Sequence, residues 1–194
     1  MPFQFKPLQL PEVIAIQPEV FVDTRGCFFE TYKESEFCRN GIVERFVQGN
    51  QSYSVQKTLR GIHYQKPPYA QGKLVRVVEG EIFDVVVDLR KWSPRYGRWV
   101  ATTLSSENHT MIYVPVGFGH GAFVVSSSAT LLYMVTREYN PASERGIIWS
   151  DPTLAIRWPT VDPILSARDQ LWPNLRDAEN DFNNETLAPT ESPS

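Results

Sequence analysis

The sequence contains little that would support a disulfide framework or a metal centre. It has two cysteines, Cys27 and Cys38, without a CxxC spacing, whereas small disulfide-stabilised domains carry several pairs. Metal-binding barrels often present two ligands from one strand as an HxH pair. The three histidines of this sequence form no such pair. We therefore expect no metal site and two free thiols in a reducing cytoplasm, although the sequence leaves open a single disulfide between them.

The sequence also lacks long apolar runs and an excess of basic residues. Near its start the longest apolar stretch is residues 13–16, far shorter than a membrane span or the core of a signal peptide. The net charge is −3, whereas a general nucleic-acid-binding protein needs a basic face. We therefore expect no membrane span, no export signal and no nucleic-acid partner, while a locally positive pocket for a small anion stays possible.

Strand-forming segments dominate what is present. Two valine-rich runs, residues 73–78 and 81–89, flank Glu79-Gly80, a pattern typical of a β-hairpin. Turn residues such as Pro115-Val116-Gly117 separate further β-rich runs at 99–104, 110–114, 122–125 and 129–136. Many short strands at regular spacing predict an all-β antiparallel sandwich or jelly roll, not a parallel α/β sheet.

Helix signals are few, and nothing indicates a second domain. We expect one short helix at residues 35–40, ended by Gly41, and another around residues 166–171. From residue 178 onward the sequence is polar, contains no Lys or Arg and ends in APTESPS. We therefore expect a single domain over residues 1–177, followed by a disordered tail without catalytic duty over residues 178–194.

His63 is the first candidate for acid–base chemistry. It lies in residues 59–65 (LRGIHYQ), where strand alternation would place Gly61 and His63 on one face and Arg60 on the other. A lone histidine in such a segment is more often a buried structural residue than a base. The neighbouring glycine leaves room for a ligand, and Arg60 offers a partner for an anion, so His63 stays a candidate.

Other reactive side chains are ambiguous on local grounds. His120 stands among glycines, which either let the backbone approach a ligand or form a tight turn. Tyr133 lies in an apolar strand, where a tyrosine more often belongs to the core. Lys73 and Asp169 would usually be solvated surface residues, and His109 follows a predicted hairpin turn and is expected to be exposed and inert.

Motifs spread over residues 3–176 together resemble the dTDP-4-dehydrorhamnose 3,5-epimerase family. The matching segments are residues 21–30, 46–50, 59–65, 71–75, 84–90, 115–121, 139–141, 149–152, 158–159 and 166–169. The resemblance implies a cupin-type antiparallel β jelly roll, a homodimer, and no metal or organic cofactor. It also implies a dTDP-4-keto-6-deoxyhexose substrate. The implied reaction inverts C3 and C5 of dTDP-4-dehydro-6-deoxy-D-glucose and gives dTDP-4-dehydro-L-rhamnose.

The resemblance further implies catalytic roles for individual residues. His63 matches the general base, and Asp169 matches the carboxylate that orients it and favours the imidazolium form. Tyr133 matches the proton donor on the opposite face of the sugar. Lys73 matches the cation beside the C4 oxygen, where it would stabilise an enolate, and His120 matches a substrate-site residue near the same centre.

Seven binding positions beyond these follow from the same resemblance: Arg25, Glu30, Gln48, Asn50, Arg60, Glu144 and Arg168. Arg60 matches a phosphate or sugar contact, for which a planar guanidinium is suited. Gln48 and Asn50 match contacts on the thymidine side, where amides supply paired donors and acceptors. Arg25 and Glu30 match positions that reach a nucleotide, often across the dimer interface.

The sequence departs from the family pattern beside the sugar site. Arg168 stands where the family generally has lysine, Gly119 where alanine is more usual, and Ala122 where an aromatic residue is usual. These changes leave open whether one or both carbons are inverted. A mono-epimerase, a 3,4-ketoisomerase and a non-catalytic sugar-nucleotide-binding cupin are the alternatives.

Overall fold

The computed structural model describes residues 2–183, which form two antiparallel sheets packed face to face. The elements in chain order are β1 (Phe3–Pro7), β2 (Ile14–Pro18), β3 (Phe21–Asp23), β4 (Gly26–Phe28), α1 (Glu34–Arg39), β5 (Gln48–Val55), β6 (Leu59–Gln65), β7 (Lys73–Glu79), β8 (Glu81–Asp88), β9 (Trp99–Ser105), β10 (Met111–Val114), β11 (Phe118–Val124), β12 (Ser128–Val135) and β13 (Glu144–Gly146). The sheet orders are β1-β2-β10-β7-β12-β5 and β13-β6-β11-β8-β9, with β3-β4 as a separate hairpin. The predicted all-β jelly-roll class is confirmed.

Strand alternation explains where the core lies. Val75 of β7, Val86 of β8 and Leu131 of β12 belong to one buried cluster between the sheets. On β8 the alternate residues Val85 and Val87 enter a second cluster, on the outer face of the five-stranded sheet. Because β8 is covered on both faces, its sequence is a nearly continuous apolar run.

The predicted hairpin over residues 73–89 is wrong, although both of its strands exist. β7 lies in the six-stranded sheet and β8 in the five-stranded sheet, so the turn at Gly80 carries the chain between sheets. Gly80 has a φ of 79°, and a Cβ there would lie 2.0 Å from the Ser128 carbonyl oxygen. Both a hairpin and a crossing between sheets require a tight glycine turn, so the local sequence could not separate them.

One of the two expected helices is present. α1 ends at Arg39, shortly before Gly41 with a φ of 84°, which confirms the first prediction. The second is wrong, because residues 167–170 form turns in which the Ser166 hydroxyl oxygen accepts the Asp169 N–H. Such a local side-chain bond competes with helix formation. No helix within residues 2–183 is long and apolar enough to cross a membrane.

The glycine-rich segment before residue 122 belongs to a strand and not to a loop. β11 begins at Phe118, four residues earlier than predicted, so His120 is a strand residue. A Cβ at Gly119 would lie 2.5 Å from the Ile62 side chain on neighbouring β6. The small residue therefore lets Ile62 pack over β11, which local sequence does not reveal.

The packed chain continues beyond the predicted boundary at residue 177. Phe182 is 1% exposed, and its ring lies 5.7 Å from that of Tyr64. Asn180 is also buried and donates a side-chain hydrogen bond to the Leu89 carbonyl. The first residues assigned to the tail thus cover the outer face of the five-stranded sheet, while residues 184–194 of that tail lie outside the described residues.

Candidate active site

A cavity of about 380 Å³ opens between the two sheets at one end of the sandwich. Strands β5, β7 and β12 supply one wall, and β6, β11 and β13 supply the other. The lining residues are Gln48, Asn50, Ser52, Arg60, His63, Gln71, Lys73, Val75, His120, Ala122, Leu131, Tyr133, Tyr139, Glu144 and Arg168. Every residue predicted for the site lines this cavity except Asp169, Arg25 and Glu30.

His63 and Asp169 are in direct contact behind the cavity wall. The His63 Nε2 is hydrogen-bonded to Asp169 Oδ1, although 106 residues separate the two in sequence. Asp169 Oδ2 accepts the Ser166 hydroxyl at 2.7 Å, and Oδ1 accepts the Trp172 indole N–H at 3.2 Å. Burial raises the pKa of Asp169, but the hydrogen bonds, led by His63, outweigh it and leave this pKa below its ordinary value. The contact leaves Nδ1 as the histidine nitrogen available to a ligand.

Trp172 encloses this histidine–aspartate pair. Its ring meets the His63 ring edge-on, with centroids 6.1 Å apart. Gly146 of β13 pairs with His63 in the sheet, and a Cβ there would lie 2.5 Å from the indole. The contacts of Ser166 and Trp172 with this pair were not predicted from the sequence. The Ser-x-x-Asp spacing was a usable signal for Ser166, and we find none for Trp172.

The structure corrects the predicted faces of β6. His120 pairs with His63 and Ala122 pairs with Arg60. The pairing therefore advances two residues along β11 but three residues along β6. This β-bulge shifts the alternation by one residue. Arg60 and His63 therefore face the same cavity, where simple alternation had placed them on opposite faces. The bulge centres on Gly61, whose φ is 130°.

Tyr133 reaches the cavity from the opposite sheet. It lies on β12 between Asn50 of β5 and Val75 of β7, with all three side chains lining the cavity. Burial raises the pKa of Tyr133; Arg60 opposes that rise and Glu144 adds to it. The phenol therefore stays protonated at neutral pH and can act as a proton donor.

Lys73 lies at the start of β7 on the same wall, half-buried in the cavity. Burial lowers its pKa to about 8, since a charged ammonium loses hydration there, while the charges of Asp84 and Glu144 oppose the fall. The side chain is thus a cation at neutral pH that lies close to losing its proton.

His120 is held from below by an aspartate that sequence analysis did not single out. His120 Nε2 lies 2.7 Å from Asp84 Oδ2. Asp84 is fully buried in the apolar strand β8. An acidic residue within the run Ile82–Val87 was the available signal, because buried carboxylates are rare without a partner.

The mouth of the cavity carries a polar network. Glu144 accepts hydrogen bonds from the Tyr139 hydroxyl at 2.6 Å and from Arg168. Gln48 accepts the Tyr139 backbone N–H at 2.9 Å and donates to the Asn50 side chain at 2.7 Å. This end therefore combines guanidinium charge with amide donors and acceptors, which suits an anionic group joined to a heterocyclic base.

Arg25 and Glu30 lie away from the cavity of their own chain. Arg25 is in the β3–β4 turn, largely exposed and paired with Asp23 at 2.5 Å. The Glu30 Oε1 atom lies 3.9 Å from the Lys33 Nζ atom. Within one chain these two residues are therefore not part of the site that the other predicted residues form.

The two cysteines and His109 lie outside the cavity. Cys27 and Cys38 are exposed free thiols. His109 packs half-buried against Phe29, with centroids 4.7 Å apart, so the expectation of an exposed histidine is wrong. Among residues 2–183, no group of three His, Cys, Asp or Glu side chains is placed to hold a metal ion.

Comparison with known proteins gives one consistent family. The family model described as dTDP-4-dehydrorhamnose 3,5-epimerase matches residues 7–177. The enzyme of that name from Shigella flexneri is 47% identical over 162 residues, covering 83% of this chain and 90% of its own. A dTDP-4-dehydrorhamnose 3-epimerase from Streptomyces niveus is 44% identical over 168 residues, covering 86% and 81%. The crystal structure of the Legionella pneumophila 3,5-epimerase with dTDP-4-keto-L-rhamnose superposes with a TM-score of 0.87 at 41% identity, covering 90% of this chain and 93% of that one.

Proposed function

Because the chain belongs to the dTDP-4-dehydrorhamnose 3,5-epimerase family, we propose that it converts dTDP-4-dehydro-6-deoxy-D-glucose to dTDP-4-dehydro-L-rhamnose by inverting C3 and C5. The observation that carries the proposal is that His63 and Tyr133 face one cavity from opposite sheets. A sugar ring bound between the sheets meets a base on one face and an acid on the other. Inversion requires this arrangement, because a proton returned to the face that it left only regenerates the substrate.

His63 acts as the base in this proposal. It takes the proton from a carbon next to the C4 ketone, and the electron pair of that C–H bond moves into an enolate. Asp169 stabilises the imidazolium that forms, through the same hydrogen bond that orients the ring. General base catalysis of this kind contributes ~10²–10⁴-fold to the rate.

Lys73 and Tyr133 complete each inversion. The Lys73 ammonium stabilises the negative charge that develops on the C4 oxygen, an electrostatic effect that is strong in a water-poor cavity. Tyr133 then gives its phenolic proton to the carbon from the other face, and the enolate collapses to the ketone. Before the second carbon reacts, the tyrosinate takes a proton from solvent and the His63 imidazolium releases one to solvent, which restores both groups. Support comes from the raised pKa of Tyr133, which keeps that proton in place.

The polar mouth holds the nucleotide. Arg60 and Arg168 supply guanidinium groups for the diphosphate oxygens. Gln48 and Asn50, already linked by a hydrogen bond, offer amide groups to the thymine edge. Binding energy gathered at this end fixes the sugar at the other end, where the two catalytic faces lie.

Solvent exchange in deuterium oxide tests the proposal. Turnover of dTDP-4-dehydro-6-deoxy-D-glucose should place deuterium at both C3 and C5 of the product, as read by NMR. Deuterium at C3 alone would show that the protein inverts only C3, the reaction for which the similar Streptomyces niveus 3-epimerase is named. A 3-keto product would make the protein a ketoisomerase, and binding without any exchange would reject catalysis.

The proposal includes a homodimer, in the cytoplasm, in which Arg25 and Glu30 serve the site of the partner. One support is that Arg25 and Glu30 do not line the cavity of their own chain. The other is that two apolar side chains close to Arg25, those of Val22 and Phe28, are exposed. The two free thiols favour a reducing compartment.

Subunit mixing tests that arrangement. Arg25→Ala and His63→Ala chains should each be weakly active alone and should recover activity when refolded together, because one hybrid site then holds both native residues. Light scattering should give twice the chain mass. A monomer, or hybrids without recovery, would contradict the arrangement.

A further inference from the structure

The floor of the cavity contains a buried carboxylate to which the proposed reaction gives no role. Asp84 is 0% exposed, in the middle of β8. Its Oδ2 contacts His120 Nε2 at 2.7 Å. Its Oδ1 is buried and has no hydrogen-bond partner within residues 2–183.

Such a carboxylate is costly to keep for stability alone. Moving an ionised group out of water carries a penalty that one hydrogen bond to a histidine does not repay, and apolar residues of similar volume commonly serve a core better. The unpartnered oxygen makes the cost larger. Asp84 contacts His120, which lines the same cavity as Lys73, and its charge raises the pKa of Lys73 against the effect of burial.

We propose that Asp84 is a positioning residue of this site, holding His120 in one orientation and supplying the buried negative charge that balances the Lys73 ammonium beneath the ketone. The inference rests on the proposed function, because a cation beside the C4 oxygen matters only if an enolate forms there. Asp84 does not touch the substrate in this account. It acts through the two cavity residues that do.

The strand register supports the first half of the role. Asp84 pairs with Ala122, two residues along β11 from His120, and His120 pairs with His63 on the other side. The contact at Nε2 leaves Nδ1 of His120 as the nitrogen that can meet the sugar. Without the carboxylate the imidazole could turn or change its tautomer.

The charges around Lys73 support the second half. The groups with ionisable side chains that line its cavity are Arg60, His63, His120, Tyr133, Tyr139, Glu144 and Arg168, with Asp84 beneath. The strand residues opposite Lys73, Val114 and Val135, carry no charge. Glu144 is already bound by Arg168 and Tyr139. Asp84 is therefore the negative charge least neutralised by another cation.

An NMR titration of Lys73 tests this coupling without turnover. The chain has only six lysines, so ¹³C-lysine labelling gives few signals, and the Lys73→Met variant assigns the one that matters. The parent should titrate with a midpoint about 8. Asp84→Asn should lower the midpoint by about one pH unit or more, because an opposite charge nearby is lost. Asp84→Glu should restore it, and Asp84→Ser replaces Asp84→Asn if the latter does not fold.

Asp88→Asn is the matched control. Asp88 is equally buried on β8 but pairs with Arg90, outside the cavity. It should lower the melting temperature and leave the Lys73 midpoint unchanged. An unchanged midpoint in Asp84→Asn, or an equal shift in Asp88→Asn, would overturn the proposal.

The pH dependence of kcat/KM supplies the functional arm. In Asp84→Asn the apparent pKa of the alkaline limb should fall by as many pH units as the Lys73 midpoint does. The variant should therefore lose more activity at pH 8 than at pH 6. A uniform loss at every pH would show a merely structural role. If the parent shows no exchange in deuterium oxide, the proposed function fails, while the titration still decides whether Asp84 governs Lys73.

Discussion

At the scale of single residues, the site contains two histidine–aspartate pairs. His63 is paired with Asp169 and faces Tyr133 across the cavity. His120 is paired with Asp84. Each of the two imidazoles thus has one nitrogen bound by a carboxylate and one left for the substrate.

Replacing His63 with alanine should remove most activity and leave the fold intact. Without a base the rate of deuterium exchange at C3 and C5 should fall by ~10²–10⁴-fold. The circular dichroism spectrum should stay that of the folded protein, since His63 lines a cavity, while the melting temperature should fall because buried Asp169 loses its His63 partner. His109→Asn is the control, because this histidine packs on Phe29 with a φ of 53° that asparagine tolerates. Equal losses in both variants would contradict the assignment.

Asp169→Asn should lower kcat by ~10²-fold with a smaller effect on KM, because the imidazolium loses its counter-charge. It should also change stability in acid. The pKa of Asp169 is lowered in the folded chain, so its stabilisation is complete above the ordinary aspartate pKa and disappears as pH falls through the folded-state value. Urea unfolding between pH 2 and about 6 should therefore be less pH-dependent in the variant. An unchanged acid slope would refute this part.

At the scale of elements, the β-bulge between β6 and β11 sets the direction in which the His63 side chain points. The extra residue on β6 shifts the alternation, so that Arg60 and His63 both face the cavity. Close approach of the two strands depends on glycine at position 61, where a Cβ would lie 2.5 Å from Gly121 Cα and 2.9 Å from the His120 carbonyl oxygen.

Gly61→Ala should therefore destabilise the protein by about 2 kcal/mol or more, as it combines an unfavourable φ with a clash against backbone. Displacement of His63 should also lower kcat in the fraction that folds. Gly49→Ala on β5 is the matched control, since no atom lies within 4 Å of its added Cβ. Chemical unfolding of both variants provides the measurement, and equal stabilities would contradict the packing argument.

At the scale of the whole molecule, the second core cluster on the outer face of the five-stranded sheet supports the active-site strands from behind. It joins residues of β6 and β8 to the segment after β13, including Leu154, Leu175 and Phe182. The same segment carries Asp169 to His63. Its packing therefore contributes both stability and the alignment of Asp169 with His63.

Phe182→Ala should lower the free energy of unfolding by about 3 kcal/mol or more, because it leaves a cavity beside Tyr64. Activity of the folded protein should change much less, since Phe182 does not line the active-site cavity. Leu171→Ala is the comparison, as Leu171 is 82% exposed and its change should stay within about 0.5 kcal/mol. Differential scanning calorimetry of the two variants would show the contrast or refute it.

The sequence by itself determined the fold class, the first helix and the strands β7 to β12, and it named nine of the fifteen residues that line the cavity. These depend on local alternation, on turn residues and on motifs carried by short segments, and each is legible without knowing what a strand pairs with. His63, Lys73 and Tyr133 could be named in this way. Their roles came from a resemblance, and their meeting in one cavity came from the structure.

Only the tertiary structure decided which strands pair and where the phase of alternation changes. The turn at Gly80 joins two sheets instead of closing a hairpin, and the bulge brings Arg60 to the side of His63. Contacts between distant segments, such as Asp84 under His120, depend on sheet order in the same way. The physical reason is that a strand's local sequence states which of its faces is apolar, whereas its partner and register are set by the packing of the whole sandwich.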